Sequence, residues 1–325
     1  MRFQKRSIAV VSVLAAGALV ASMSTGASAE ISIKSLLSDD MQKQQIFAGT
    51  YMTGGANSTI YGNIIAATYV TTGVNTTVDG DTTSGTDTTL GANTQVSGNV
   101  QSAGDSTLGS GSFVQGWINS SNVTTFIGTA DAKGTKSNDP YSAAKSIADG
   151  QDEITAVQQF LLRFAGTEAA AAAITTDTTY TSGIYTITGF MSVAADITIT
   201  LDAEYADSVF IFNISKYLSF GENVQIQVAN ATDNVVIIWN AGGGYAALGA
   251  NADILGNIFA QEYITIGAGA TMVGIGANCG GAMYSATSYI TIGAGSTAGT
   301  TADIDTVSCN AASNDWIDDS NWVKN

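Results

Sequence analysis

Glycine returns in this chain at a fixed interval, and that interval constrains the fold more than any other feature. An aliphatic residue followed by Gly, with a second Gly seven positions on, frames the pairs Gly91/Gly98, Gly109/Gly116, Gly249/Gly256 and Gly267/Gly274. Gly73/Gly80 keeps the same spacing. Within each half of the chain successive pairs are 18 residues apart. Residues 263–274 (YITIGAGATMVG) and 289–297 (YITIGAGST) are near-copies. Self-similarity at a fixed period identifies a repeat architecture in which each unit buries too little to be stable alone.

The content of one repeat says what the unit is. The residue before the first Gly is Leu90, Leu108, Leu248, Ile266 or Ile292, and the fifth residue after it is Val78, Val96, Val114, Ile254 or Met272. Thr, Ser, Asn and Gln alternate with these apolar positions, which is the two-residue period of a strand with one buried side. Glycine suits corners where a Cβ would clash. Eighteen residues at about 3.3 Å each trace a path of about 60 Å, which closes as three sides of about six residues, with coils about 4.8 Å apart. The sequence therefore predicts a mostly β, right-handed three-sided β-solenoid in one domain, residues 30–325. The handedness comes from the resemblance described below.

The amino terminus has a different logic. Arg2, Lys5 and Arg6 precede an apolar run over residues 8–21, and Ala27-Ser28-Ala29 is a small-residue cleavage motif. This predicts a secretory signal peptide, residues 1–29, cut after Ala29. No other stretch is long and apolar enough to span a bilayer. Without the three leader cations, 8 basic residues face 27 acidic ones, a net charge of −19. That excludes nucleic acid as a partner and suits a soluble, secreted, monomeric protein. Cys279 and Cys309 are the only cysteines, and in an oxidising compartment the pair predicts a disulfide.

One segment breaks the strand pattern. Asp139-Pro140, with the chain's only proline, is a helix start, and Ile147, Ile154, Val157, Leu161 and Phe164 then recur at helical spacing. The spacing predicts a helix over about 140–165, capped at Gly166 and packed along the solenoid. Residues 35–47 read as helix or loop, and coils run from about residue 59 to 118. Residues 119–138 read as irregular, and strands return from Tyr180. The nearly continuous apolar runs at 209–214 and 235–239 predict strands covered on both faces. The acidic tail, about 310–325, reads as a cap or a free end.

The chemistry is constrained by what is missing. With no histidine, histidine-based triads and most zinc sites are excluded. No phosphate loop occurs, and residues 79–87 (DGDTTSGTD) lack calcium-loop spacing and read as a solvated turn. No cofactor, metal or catalytic group is expected. What remains is a file of hydroxyls. Two residues before the first Gly stand Thr71, Thr89, Thr107, Ser219, Thr265 and Thr291, and four residues after it stand Thr77, Thr271 and Thr297, with Gln95 and Gln225 between. Their neighbours point inward, so these point out. Threonine is already stiff at χ1, and stacked coils would place its hydroxyls in register for ordered water.

These features, with residues 182–187 (SGIYTI), 207–215 (DSVFIFNIS), 235–243 (VVIIWNAGG) and 255–274 (LGNIFAQEYITIGAGATMVG), make the chain resemble the secreted microbial ice-binding proteins. That family has a β-solenoid with a long helix alongside. The resemblance covers about residues 47–302. It implies a right-handed coil in which amino-terminal and carboxy-terminal rungs meet out of sequence order. The family's Thr-Gly-x-Thr/Asn element matches Ala268-Gly269-Ala270-Thr271 and Ala294-Gly295-Ser296-Thr297, without its first Thr. The expected function is non-enzymatic adsorption to ice through these Thr and Ser residues on one flat face. The alternatives are a structural or adhesive surface module and a carbohydrate-cleaving β-helix enzyme. The near-absence of basic residues from the rungs argues against the enzyme.

Overall fold

The computed structural model describes residues 37–137, 144–164, 166, 168–203, 208–230, 235–274 and 281–299. The leader, Asp139-Pro140, the cysteine pair Cys279 and Cys309, and the acidic tail lie outside the described residues. The chain is mostly β. Among the described residues the strands form a 21-stranded and an 11-stranded sheet, and every pairing is parallel. A complete coil gives one strand to the 11-stranded sheet and two to the other.

The coils do not stack in sequence order. Ile290–Ile292 pairs with Met52–Gly54, Met283–Ser285 with Gln44–Ala48, and Thr297–Gly299 with Thr59–Tyr61. The carboxy-terminal coil therefore docks on the amino-terminal one along all three of its strands. The first half of the chain winds away from this junction. A helix, Ala144–Leu161, then crosses back, and the second half winds down to meet the first.

Two rows of backbone geometry, the first of them the leading glycine of the frame, shape each repeat. At the first Gly of each repeat, neighbouring coils approach too closely for a side chain. A Cβ on Gly73 would lie 2.5 Å from Ala56 N, and one on Gly249 2.4 Å from Gly221 C. Two residues later the chain turns through the left-handed region. Asn57, Asn75, Asn93, Asn223, Asn251 and Asp196 have φ of 54–60°, and Gly111, Gly269 and Gly295 occupy equivalent corners. Only Gly, Asn and Asp adopt this conformation cheaply. The asparagines also bond to each other along the axis, Asn75 Nδ2 to Asn57 Oδ1 at 2.9 Å and Asn93 Nδ2 to Asn75 Oδ1 at 3.0 Å.

The interior is apolar in the second half, where Phe210, Phe212 and Trp239 are fully buried. In the first half the inward positions include Thr88, Ser102, Ser106 and Ser120. Their hydroxyls form a zipper, Ser102 to Thr88 at 2.8 Å, Ser102 with Ser106 at 2.9 Å and Ser120 to Ser106 at 2.7 Å. This satisfies groups that would otherwise be costly to bury.

The helix packs as its stripe predicts. Ile147, Ile154, Val157 and Leu161 are buried against Phe47, Ile184, Val209, Ile211, Ile238, Phe259 and Tyr284. Its 18 residues span about 27 Å, between five and six coil spacings of about 4.8 Å. The strand Val209–Ile214 is buried at all six positions, as expected for a strand covered on both faces. Gly150 lets the helix come close, because a Cβ there would lie 2.5 Å from the Phe47 ring.

Three expectations need correction. The helix ends at Leu161 rather than at a Gly166 cap: Arg163 N bonds to Phe160 O and Phe164 N to Leu161 O, and Gly166 N donates to Thr186 Oγ1. Residues 119–137 are not irregular, because strands continue through Phe113–Ser120, Thr124–Phe126 and Asp131–Ser137 and build a further coil. Coiling begins before residue 59, at Gln44–Ala48, after a short helix Asp39–Gln42.

Candidate functional site

In the inner coils of the 11-stranded sheet each strand has two or three residues, and the outward-facing one is flanked by buried neighbours. The register aligns these outward residues along the axis as Ala173, Ser192, Ser219, Ala247, Thr265, Thr291, Thr53, Thr71, Thr89, Thr107 and Thr125. Seven threonines are therefore consecutive. The unbroken run exists only because the carboxy-terminal Thr291 lands beside the amino-terminal Thr53. Thr71, Thr89, Thr107, Ser219, Thr265 and Thr291 all lie in this file.

Thr53, Thr125 and Ser192 also belong to it, although the frame read from the sequence does not select them. In the first case Gly54 fills the aliphatic slot, yet Gly55/Gly62 preserve the seven-residue spacing that identifies it. In the second, Ile127 stands where the frame expects Gly. In the third, Ala194 takes the Gly place. Among the described residues, none of the seven threonine hydroxyls has a hydrogen-bond partner in the protein. Each is left to water.

Thr77, Thr271 and Thr297 do not share this sheet, contrary to the expectation of one face. Thr77 lies six positions after Thr71, and the left-handed corner at Asn75 falls between them. They form a file on the 21-stranded sheet that reads Thr198, Gln225, Asp253, Thr271, Thr297, Thr59, Thr77, Gln95, Phe113 and Asp131. Four threonines are consecutive here, but Thr271 donates to Asp253, and Phe113 and the glutamines interrupt the rest.

A second feature of the 11-stranded sheet is not visible in the glycine frame. Two residues before the Thr file, seven aromatic rings stack along the axis in the order Phe190, Tyr217, Tyr245, Tyr263, Tyr289, Tyr51 and Tyr69. Centroids are 4.7–5.3 Å apart and planes within 9° of parallel. The backbone ladder continues through these positions, Ile290 N bonding to Tyr51 O and Ile264 N to Tyr289 O, both at 3.0 Å. Partial burial, and then neighbouring phenols, raise the Tyr51 and Tyr263 pKa values above the ordinary tyrosine value, so both stay protonated near neutrality. Beyond Tyr69 the column passes to Asp87 and Asp105, whose carboxylates accept backbone N–H groups of the next coil, from Asp105 at 2.8 Å and Val123 at 3.1 Å.

The acidic segment 79–87 is spent in the same way. Asp79 Oδ1 accepts from Ser97 Oγ at 2.6 Å and Asp81 Oδ1 from Asn99 N at 2.6 Å. Among the described residues, no three Asp, Glu, Cys or His side chains converge as a metal site.

Comparison with known proteins places this geometry. An ice-binding protein from an Arctic yeast, solved in glycosylated form, has 13% identity, covering 85% of this chain and 96% of that one at a TM-score of 0.50. The ice-binding protein of the Antarctic ascomycete Antarctomyces psychrotrophicus has 16% identity, covering 81% and 96% at 0.46. An ice-binding protein domain from Shewanella frigidimarina has 16% identity, covering 80% and 94% at 0.49. No curated protein sequence matches the chain. The family model described as ice-binding-like matches residues 82–297, more than half of the sequence, and the chain belongs to that family.

Proposed function

We propose that this is a secreted, monomeric, non-enzymatic ice-binding protein that adsorbs to ice through the Thr file of the 11-stranded sheet. Its leader would be removed after Ala29, and its coil is right-handed and three-sided. The observation that carries the reading is the run Thr265, Thr291, Thr53, Thr71, Thr89, Thr107 and Thr125 in strict strand register, with no hydroxyl engaged by the protein.

The physics follows from the register. Seven side chains at about 4.8 Å intervals make a straight array about 29 Å long. The stacked tyrosine rings beside it are 4.7–5.2 Å apart, in keeping with that spacing. Each threonine offers a hydroxyl that donates and accepts and a methyl that water must skirt. Water over such a row is ordered at a repeat close to that of oxygens in ice. Little entropy is lost on binding because the β-branched side chains are already fixed. One water contact is weak, but many in phase hold the molecule on the crystal. Ice growing between adsorbed molecules must then curve outward, which lowers its local freezing point.

The test is thermal hysteresis and recrystallisation inhibition by the mature chain. The bulky substitutions Thr265→Tyr and Thr71→Tyr should sharply reduce both without loss of fold. Thr77→Tyr, on the other sheet, should leave them unchanged. Activity lost only with Thr77→Tyr would move the ice contact to the 21-stranded sheet. No activity in the parent protein at high concentration would favour an adhesive or structural module.

A further inference from the structure

The stacked tyrosines carry hydroxyls that the stack does not need. Phe190 shows that a ring without a hydroxyl stacks as well, 5.3 Å from Tyr217 and 7° from parallel. Tyrosine nevertheless occupies every other place in the ladder. Two buried tyrosines elsewhere in the molecule use the hydroxyl internally: Tyr185 OH donates to Thr181 O at 2.6 Å, and Tyr284 OH to Gln44 O at 3.2 Å. Among the described residues, none of the ladder hydroxyls has a protein partner. A half-buried tyrosine with an unpaired hydroxyl presents a polar tip to solvent.

The ladder and the Thr file coincide over one stretch only. Tyr263 precedes Thr265, Tyr289 precedes Thr291, Tyr51 precedes Thr53 and Tyr69 precedes Thr71, on four consecutive coils. On one side of this stretch the partners are Ser219 and Ala247, and on the other Asp87 and Asp105 stand before Thr89 and Thr107. Residues two apart in an extended chain project to the same side, about 6.6 Å apart. Rings stacked at the strand spacing cannot tilt independently, so their hydroxyls repeat with the same period as the threonines.

We propose that Tyr263, Tyr289, Tyr51 and Tyr69 form a second file of ice-water contacts. With the adjoining threonines they make a two-dimensional patch of eight hydroxyls, centred on the junction of the two chain halves. This rests on the ice-contact reading of the Thr file. A single row matches ice along one direction, whereas two rows in phase also fix its lateral position. The patch is therefore the part of the sheet that selects the ice plane.

The test removes the hydroxyls and keeps the rings. The fourfold variant Tyr51→Phe, Tyr69→Phe, Tyr263→Phe and Tyr289→Phe is measured beside Tyr217→Phe with Tyr245→Phe, which makes the same change outside the patch. The fourfold variant should lose at least half of its thermal hysteresis and alter the shape of the ice crystals it holds, with its melting temperature unchanged. The double variant should retain parent activity. Parent-level hysteresis and crystal shape in the fourfold variant, while Thr265→Tyr abolishes activity, would overturn this inference and leave the Thr file intact. Equal losses in both variants would assign the tyrosines a purely structural role. No effect of either the fourfold variant or Thr265→Tyr would overturn both readings. If the fourfold variant melts early, Tyr289→Phe alone gives the same decision.

Discussion

Two glycines at the junction of the chain halves separate the two reasons for glycine in this fold. Gly55 sits where the first coil rests on the last one. A Cβ built on it lies 2.5 Å from Ala294 N and 2.6 Å from Gly293 C. Carbon contacts are comfortable only from about 3.5 Å, so Gly55→Ala must push the coils apart by about 1 Å. The bonds Gly55 N to Ile292 O at 2.7 Å and Gly295 N to Ala56 O at 2.8 Å would then stretch beyond useful length. Losing two such bonds costs about 2 kcal/mol, and overpacking adds about 1 kcal/mol or more. Gly295, by contrast, has φ +70° and nothing within 4 Å of its virtual Cβ. Gly295→Ala should cost only about 1 kcal/mol for the left-handed backbone. Gly295→Asn should cost less, because Asn57, Asn75 and Asn93 adopt that corner. Urea unfolding followed by the fluorescence of Trp239, buried against Phe212 at 4.3 Å, reads the difference as a lower midpoint at unchanged slope. A Gly55→Ala midpoint equal to the parent's, or a Gly295→Asn loss as large as that of Gly55→Ala, would refute this account.

Other consequences concern the helix and its contacts. Leu161→Ala should destabilise the protein by about 2–5 kcal/mol, because Leu161 is fully buried between helix and sheet. Hysteresis per folded molecule should be unchanged, since the helix covers strands of the other sheet. Gln158 is buried with both side-chain polar atoms unpartnered, so Gln158→Leu should raise the stability by about 1–2 kcal/mol, and a large drop would show that an ordered water pairs with it. Glu153 accepts from Ser38 Oγ at 2.9 Å and also from Ser38 N. Burial, with smaller contributions from Asp40 and Asp149, raises its carboxyl above the ordinary value despite those bonds. The folded state thus holds this proton more tightly than the unfolded chain does. Stability should rise as pH falls through the raised folded value and level off below the ordinary carboxylate value. Glu153→Gln should flatten that part of the curve, and an unaltered slope would rule Glu153 out as its source.

Much of this architecture is legible in the sequence because its rules are local. The strand period, the close-approach glycines and the apolar stripe from Ile147 to Leu161 are each set by near neighbours, and each corresponds to an observed element. The misread places are those where a local signal is replaced by an equivalent. Residues 119–137 bring only the small Ala130 and Ala132 to the apolar core, yet they coil, because Ser120 and Thr124 extend the interior hydroxyl zipper, Thr124 Oγ1 bonding to Ser120 Oγ at 3.1 Å. Gly166 resembles a helix cap but instead donates its N–H to Thr186 in the strand Gly183–Ile187. The aromatic ladder escapes notice because its members within each half are separated by 18 to 28 residues, and because it crosses once from the second half of the chain to the first, at Tyr289 and Tyr51. Only the stacking order reveals that Tyr289 lies between Tyr263 and Tyr51.

That stacking order also ties function to folding. Neither half of the chain holds the whole Thr file: Thr265 and Thr291 come from one, and Thr53, Thr71, Thr89, Thr107 and Thr125 from the other. The same is true of the four-coil patch, which takes two tyrosines from each half. Coils within a half are held by neighbours close in sequence, so each half can order locally, whereas the junction must close a loop of more than 200 residues. Loop closure of that length adds only a modest entropic cost, but it is slow because non-local pairing must precede any reward. Ice affinity should therefore appear late in refolding, after the helix and the coils of each half have formed. In a stopped refolding experiment, intrinsic fluorescence from the Trp239 core should recover before hysteresis does, and Gly55→Ala should widen the interval. Simultaneous recovery of both signals in the parent and the variant would show that the junction closes together with the coils.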